Sequence, residues 1–565
     1  MSPFSLTFRE QQQLFLFDDA YVANLILNIG GLSMLVARFI VQFFVTPMLA
    51  LAVTLILGLL MAFLLWLGIR QDRHDWKTLP LCLIPVIFEF SALSDNAMHY
   101  DAFIAMMFAV AAIPLFRKSG NIFVGILYAV VLYAAAGYAA MVFAAVAVIM
   151  IAFAGKPFKA AAALAIPAAV AVCAWLSSIA ALTPTFGIGF SPRMFYDPSE
   201  SMHWGHWIPA ASVPFVVLVS GLIKFLKNAP AIVFGTVLVI ASVFCALRIE
   251  PELSEPENAI VHKCEYYSER GDWDNVIKAS ARFANNEYFG NYLNMALAQK
   301  GRLAEDLFKY WQKNPNSLFF NPNNRSSDIR LARVEYAMGN MPAAQVVAFN
   351  SLQSSCGLNP SMLKMLTKIE LMRGSWKVAE KYLNILGKNW RYHGWAEHYR
   401  SFLGSDEAVA RDAELSNGKS DFPDASGFVA YVSPFGELLK VIEANPNDSK
   451  AVSYGLCFLL LGKDIDGICS FVDRFHDAPA LNPLPRLAQE ALVFSSAYYS
   501  GIRNGSEAAR SDIMKPDPEW CLSKGVSQET IDRFAQFQKD AMSNGGHIPA
   551  AYRDTFWFYF ARVEK

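Results

Sequence analysis

The chain has 565 residues, 54% of them apolar and only 17% charged, with a formal net charge of −1. That is too apolar for an ordinary soluble protein, and so balanced a charge supplies neither the basic field that nucleic acid requires nor an acidic field for a basic partner. Nucleic acid is therefore excluded as a partner. Up to about Arg248 the sequence is almost continuously apolar, and the remainder carries most of the charge. A helical membrane domain followed by a soluble domain is the economical expectation. Eight cysteines, at 82, 173, 245, 264, 356, 457, 469 and 521, show no CxxC spacing and are expected to be buried packing residues.

The N-terminal segment, residues 1–45, has no secretory signal pattern: Met1 to Gln13 is polar, and the apolar run from Leu14 to Phe17 is too short. Asp18-Asp19 follows. From Val22 to Val45 the chain is apolar, with Gly31, Arg38, Gln42 and Thr46 on one stripe if the stretch is helical. This predicts either an amphipathic helix at the membrane interface or a span whose polar stripe, Arg38 and Gln42 included, lines a cavity among other helices.

The polytopic domain, residues 46–249, contains apolar segments at about 46–69, 79–93, 102–116, 120–137, 139–154, 160–182, 208–223 and 230–247. If these eight alternate, nine basic residues fall on one side: Arg70, Arg73, Lys77, Arg117, Lys118, Lys156, Lys159, Lys224 and Lys227. The opposite breaks, 94–101 and 183–207, contain only Arg193. By the positive-inside rule the basic side is cytoplasmic, in an inner (cytoplasmic) membrane, and everything after Arg248 is extracytoplasmic, that is, periplasmic. Residues 22–45 are then either a ninth crossing, or lie outside with a first transmembrane helix expected upstream of Met1.

The break Ser94-Asp95-Asn96-Ala97-Met98-His99-Tyr100-Asp101 is the first place to look for chemistry. If the preceding helix continues, Glu89 and Asn96 share a face as cavity-lining residues while Asp95 and His99 pair one turn apart. Asp95 would orient His99, or one of the acids would take a proton from an acceptor; the alternative is that these residues cap two short spans. In the loop 183–207, Asp197, Glu200 and His203-Trp204-Gly205-His206-Trp207 lack a metal-binding spacing, and the tryptophans suit an interfacial belt. No metal site is expected there.

From residue 250 to 565 the chain is charged and helical in pattern. Gly271, Gly301, Gly339, Gly374 and Gly462 each end one apolar run and open another, and the residue five later is small in most copies, with Asp306 the exception. The first intervals bracket a period of about 34 residues, and Asn-Pro pairs at 314, 359 and 445 add helix breaks. This resembles a degenerate TPR solenoid over about residues 258–475, interrupted by an insertion at 404–435 that carries Pro423 and Pro434. The fold class expected is thus all-α: a polytopic helical membrane domain of eight or nine spans, then a TPR-like α-solenoid. Such a solenoid presents a concave face to a protein or peptide partner. His393 and His398, near Trp390, Tyr392 and Trp395, are expected to be aromatic packing between repeats.

Short multiple spans, acids in early outer loops, a long later outer loop and the repeat tail make the chain similar to multi-pass proteins of Bacteroidota with TPR-like tails. In architecture it also resembles membrane glycosyltransferases of the GT-C class, particularly transmembrane O-mannosyltransferases with luminal TPR repeats. The GT-C resemblance implies a polyprenyl-phosphate-linked sugar donor and inverting transfer. It makes Asp18 or Asp19 the base, with Asp95, His99 and Asp101 positioning the donor phosphate through hydrogen bonds or a divalent cation. The chain departs from that pattern in showing no first span and no family motif beyond the bare acidic pair. The alternative is a non-catalytic membrane-anchored scaffold for envelope assembly or secretion.

Overall fold

A computed structural model of the chain describes residues 2–562, except 71–75, 155–156, 199, 224–225, 227, 255, 320–327, 355–357, 421–433, 504–515 and 546. Arg73, Lys156, Lys224, Lys227, Cys356 and Pro423 thus lie outside the described residues. The fold is all-α: among the described residues the only strand-like pairing is an isolated antiparallel bridge, Met98 with Tyr196. The chain divides into two compact units, Met1–His262 with Gly387–Gly394, and Lys263–Leu386 with Trp395–Lys565.

The first unit opens with a short helix, α1 (Pro3–Phe8), then α2 (Asp19–Leu27) and α3 (Gly31–Val41). Residues 22–45 are therefore not one helix. Gly30 takes a left-handed φ of 75° between the two, and a side chain on Gly31 would begin 2.1 Å from the Leu25 carbonyl, so the chain must turn here and only glycines fit. At 9 and 11 residues, α2 and α3 rise roughly 14 and 17 Å, about half of a hydrocarbon core. Thr46 leaves the predicted stripe, because it N-caps the next helix by accepting from the Leu49 amide at 3.3 Å.

There follow α4 (Pro47–Ile69), α5 (Leu83–Ala92), α6 (Tyr100–Ser119), α7 (Ile122–Ala136), α8 (Ala139–Phe153), α9 (Pro157–Ala163), α10 (Ala165–Ile179), the single turn α11 (Phe186–Gly189), α12 (Ile208–Ile223) and α13 (Asn228–Leu253). Among the described residues, five helical stretches are long and apolar enough to cross a membrane: Pro47–Ile69, Tyr100–Ser119, Lys159–Ile179, Trp204–Ile223 and Asn228–Leu253. The remaining apolar helices, α5, α7 and α8, have 10, 15 and 15 residues. Two contacts show that α4 and α6 run side by side in the same direction. Thr54 Oγ1 lies 3.1 Å from the Tyr100 hydroxyl near their starts, and Arg117 donates to the carbonyls of Leu67, Gly68 and Arg70 near their ends. Cys245 is exposed on α13 and Cys173 half-buried, while Cys82, Cys264, Cys457, Cys469 and Cys521 are buried.

Helix pairs make up most of the second unit: α14 (Pro256–Glu269), whose first residues belong to the first unit, with α15 (Trp273–Ser280), α16 (Glu287–Gln299) with α17 (Leu303–Asp306), α18 (Asp328–Ala337) with α19 (Met341–Ser354), and α20 (Pro360–Met372) with α21 (Trp376–Gly387). Gly271, Gly301, Gly339 and Gly374 hinge these pairs, with φ between 66° and 81°. In the fifth copy the left-handed residue is Lys463, φ 56°, and Gly462 stays helical. Asp306, the exception to the small-residue rule, is buried between Arg302 and Lys309, and its helix is a single turn.

The unit continues through α22 (His393–Arg400), α23 (Asp406–Arg411), α24 (Ala413–Ser420), α25 (Pro434–Ala444), α26 (Ser449–Gly462) and α27 (Ile465–Phe475). It ends with α28 (Arg486–Arg503), α29 (Pro518–Ser523), α30 (Gln528–Ser543) and α31 (Phe556–Ala561). Trp557 of α31 is fully buried, and its indole donates to the Glu490 carbonyl at 2.7 Å, closing this end of the unit.

Candidate functional site

The octet 94–101 is an irregular junction, because α5 ends at Ala92 and α6 begins at Tyr100. Asp95 and His99 therefore do not pair one helical turn apart. Instead the octet lies beside residues 195–197: the His99 amide donates to the Phe195 carbonyl and the Asp197 amide to the Ala97 carbonyl, each at 2.8 Å. The Asp95 carboxylate accepts from the Ala97 amide at 2.9 Å and the Tyr196 hydroxyl at 2.8 Å, and stands 3.0 Å from His206 Nε2. Burial opposes its ionisation, but the hydrogen bonds of His206, Tyr196 and Ala97 outweigh that and hold it below the usual carboxylate range. Burial and Asp95 together push the Tyr196 hydroxyl up. His206, between the two tryptophans expected in an interfacial belt, is buried, and its Nδ1 faces the His203 carbonyl at 3.0 Å. Trp204 and Trp207 on either side of it are exposed.

The N-terminal segment supplies the rest of the junction. Arg9 is fully buried and donates to three carbonyls of the loop, those of Met98, Leu93 (2.7 Å) and Asp95 (3.1 Å). Burial lowers its pKa to about 10, which leaves it cationic at neutral pH. Gln13 works in both directions: Nε2 donates to Asp101 Oδ1 at 2.6 Å, and Oε1 accepts from the Tyr100 amide at 3.1 Å, satisfying a donor of the first turn of α6. Asp101 is fully buried, its Oδ2 without a hydrogen-bond partner and 4.0 Å from His99 Nδ1. Arg38 and Arg9 are the cations whose charges act on it, and burial pushes the pKa of His99 beside it down. Arg38 also reaches the Tyr21 hydroxyl at 3.4 Å.

The remaining predicted residues scatter. Asn96 Nδ2 lies 2.8 Å from Nε2 of His262, the last residue of the first unit, whose Nδ1 lies 3.0 Å from Ser5 Oγ. Burial, and then the charge of Arg9, push His262 down to about 3, so it is neutral. Glu89 is buried with Oε1 unpartnered, and Gln42 is fully buried with neither end of its amide hydrogen-bonded. Ser94 donates to Glu250 at 2.7 Å.

Asp18 is bonded to other residues and Asp19 is exposed. Asp18 N-caps α2, accepting from the Tyr21 amide at 3.0 Å, and pairs with Lys388 at 2.6 Å; that hydrogen bond first, then the cap, holds it below the usual range. Asp19 is exposed in the first turn of α2.

Residues 387–394 hold the same stretch of the N-terminal segment. The Phe17 amide donates to the Lys388 carbonyl and Asn389 Nδ2 to the Phe15 carbonyl, each at 2.7 Å. Glu10, buried, accepts from the Tyr392 hydroxyl at 2.8 Å and faces Arg391 at 3.2 Å. Trp390 and Tyr392 thus pack against the N-terminal segment rather than between repeats. Trp395 and His398 do pack aromatically, on Tyr399.

Arg9, Gln13, Tyr196 and His262 were not legible as site residues. The only signal for the first two was that they lie in a polar run, Met1 to Gln13, with no local pattern pointing to the octet. Among the described residues, no group of three or more His, Cys, Asp or Glu could hold a metal ion. No curated protein and no solved structure matches the chain. A family of unknown function, DUF6057, matches residues 1–562, and the chain belongs to that family.

Proposed function

We propose that the protein is an integral membrane protein of eight crossings whose TPR-like half stands outside the cytoplasm and binds a protein or peptide partner, the membrane unit serving as its anchor in envelope assembly or secretion. One observation favours an anchor over a catalyst: most of the polar groups at the octet are bonded within the chain. Arg9 spends its donors on three carbonyls, Gln13 on both sides of the α6 start, and Asp95 both its oxygens on Ala97, Tyr196 and His206. The side-by-side course of α4 and α6 supports a returning α5 and so the eight crossings, with Arg70 and Arg117 meeting at the end opposite the octet. Exposed Val346 and Phe349, one turn apart on α19, are the apolar side chains that a partner would cover. The test is a photo-crosslinker at Phe349 of the full chain in intact cells. A discrete adduct, lost on Val346→Asp, supports the assignment; no adduct at Phe349 or at exposed Val378 overturns it.

A GT-C-like transfer from a polyprenyl-phosphate-linked sugar is the second assignment, and Asp101 favours it. Its Oδ2 is a buried carboxylate oxygen without a hydrogen-bond partner, set near the cations Arg38 and Arg9, and a buried ionisable group of this kind is a candidate functional group. Asp101→Asn keeps the Gln13 contact geometry and removes the charge. Loss of a surface glycan at unchanged protein level supports transfer; an unchanged glycan profile for this variant and for Asp18→Asn, Asp19→Asn and Asp95→Asn rules it out.

A further inference from the structure

Five aromatic side chains form a continuous strip on the first unit. Phe15 meets Phe17 and Phe39 edge-to-face at 5.1 and 5.6 Å, Phe39 meets Phe43 at 5.4 Å, and Phe43 meets Trp390 at 5.6 Å. Phe15 is buried beneath the strip, but Phe17, Phe39, Phe43 and Trp390 are 56, 41, 38 and 49% exposed. Leaving that much contiguous aromatic surface to water is unfavourable, and nothing in the internal bonding of the unit requires it.

The level of the strip along the apolar helices is fixed by its neighbours. Phe44, next to Phe43, packs edge-to-face at 5.3 Å on Tyr100, the first residue of α6. Phe43 is also only four residues before Pro47, where α4 begins. The strip therefore stands where two of the long apolar helices start. Exposed Trp204 and Trp207 stand at the same level, since His206 between them contacts Asp95. Below the strip, exposed Met48 and Leu49 continue the apolar surface directly into α4.

We propose that residues Gly387–Gly394 form a membrane-interface anchor, in which Trp390, together with Phe17, Phe39 and Phe43, sits in the headgroup region of the lipid bilayer. A tryptophan carries a large apolar body and one polar N–H, which suits the boundary between headgroups and acyl chains. The neighbouring charges do not oppose this, because Lys388 and Arg391 are already paired with Asp18 and Glu10. α2 and α3, each too short to cross, lie alongside as interfacial helices, their exposed Ile26, Leu27 and Leu32 facing lipid. The occupant of the strip is lipid, in a layer with the other exposed aromatics of the same level.

This rests on the first unit being embedded in a bilayer, and the experiment separates the two. The full chain, with Cys245→Ser, is labelled with an environment-sensitive fluorophore at Trp390→Cys and reconstituted in phosphatidylcholine nanodiscs containing doxyl lipids. Control labels sit at Ile240→Cys, exposed on the apolar helix α13, and at Met542→Cys, exposed in the second unit. The label at 390 should shift to the blue and lose about half of its emission to a shallow doxyl lipid, with a smaller loss to a deep one. The label at 240 should be quenched more by the deep lipid, and that at 542 by neither. Phe17→Cys repeats the measurement should Trp390→Cys fail to fold. Unquenched labels at 390 and 17 beside a quenched label at 240 overturn the anchor alone, and an unquenched label at 240 overturns the membrane embedding itself.

Discussion

The two acidic positions of the first unit, Asp18-Asp19 and Asp95 with Asp101, share a residue type and have opposite fates. The first pair stands at the exposed start of a short helix, where a carboxylate finds a free amide and a lysine and is stabilised by both. The second pair stands where two helices end, an N-terminal segment crosses and a distant loop returns, so that donors from residues 13, 97, 196 and 206 converge on it. Local sequence makes an acid a cap, but only the meeting of remote segments makes it a centre.

Breaking the convergence at its most shared point should cost most. Arg9→Ala leaves the carbonyls of Leu93, Asp95 and Met98 without their donor and Asp101 without one of its cations, a loss of about 3 kcal/mol or more. Heating in detergent should show it as a large drop in unfolding midpoint, and an unchanged midpoint would mean that the junction does not hold the segment. Tyr196→Phe removes a single bond to a charged acceptor and should cost about 2 kcal/mol in the same measurement.

A graded version of the same comparison comes from pH. The folded chain holds His262 near 3, so it refuses a proton that the unfolded chain accepts at about 6.5. Its contribution to stability is therefore complete above about 6.5 and is lost as the pH falls towards 3. Unfolding midpoints should fall over that window, and His262→Gln should flatten the fall. The smallest change belongs to the exposed pair. Asp18→Asn keeps a capping side chain and weakens only a partly exposed ion pair, and Asp19→Asn touches nothing buried, so neither should move the midpoint measurably.

The helices were legible because long apolar runs and hinge glycines act over a few residues. Each of the eight apolar segments contains a helix, although 160–182 is split between α9 and α10, and four of the five predicted glycine hinges take the left-handed φ. Gly462 missed by one residue because Lys463 carries the turn, which requires a backbone conformation rather than a particular residue. Residues 22–45 were ambiguous because periodicity continues through Gly30-Gly31, while the steric block at the Leu25 carbonyl exists only once the chain has turned. Of the site, the octet itself was legible as a polar break between apolar runs. Its partners were not, since Arg9 and Tyr196 lie 84 to 101 residues away from the atoms they bond and no local pattern encodes such a pairing.

The hold of residues 387–394 on the N-terminal segment also sets an order in time. Asp18, Phe15 and Glu10 bond partners 370, 374 and 382 residues further along the chain. At about 5–20 residues per second, the ribosome delivers those partners roughly 20–75 s after residues 10–18 have been made. Loop closure over such a separation is slow, and until it happens the amides and carboxylates of residues 10–18 must be shared with water or with a helper protein. Residues 10–18 are thus made long before their bonding is finished, and the first unit matures only once residues 387–394 have been translated.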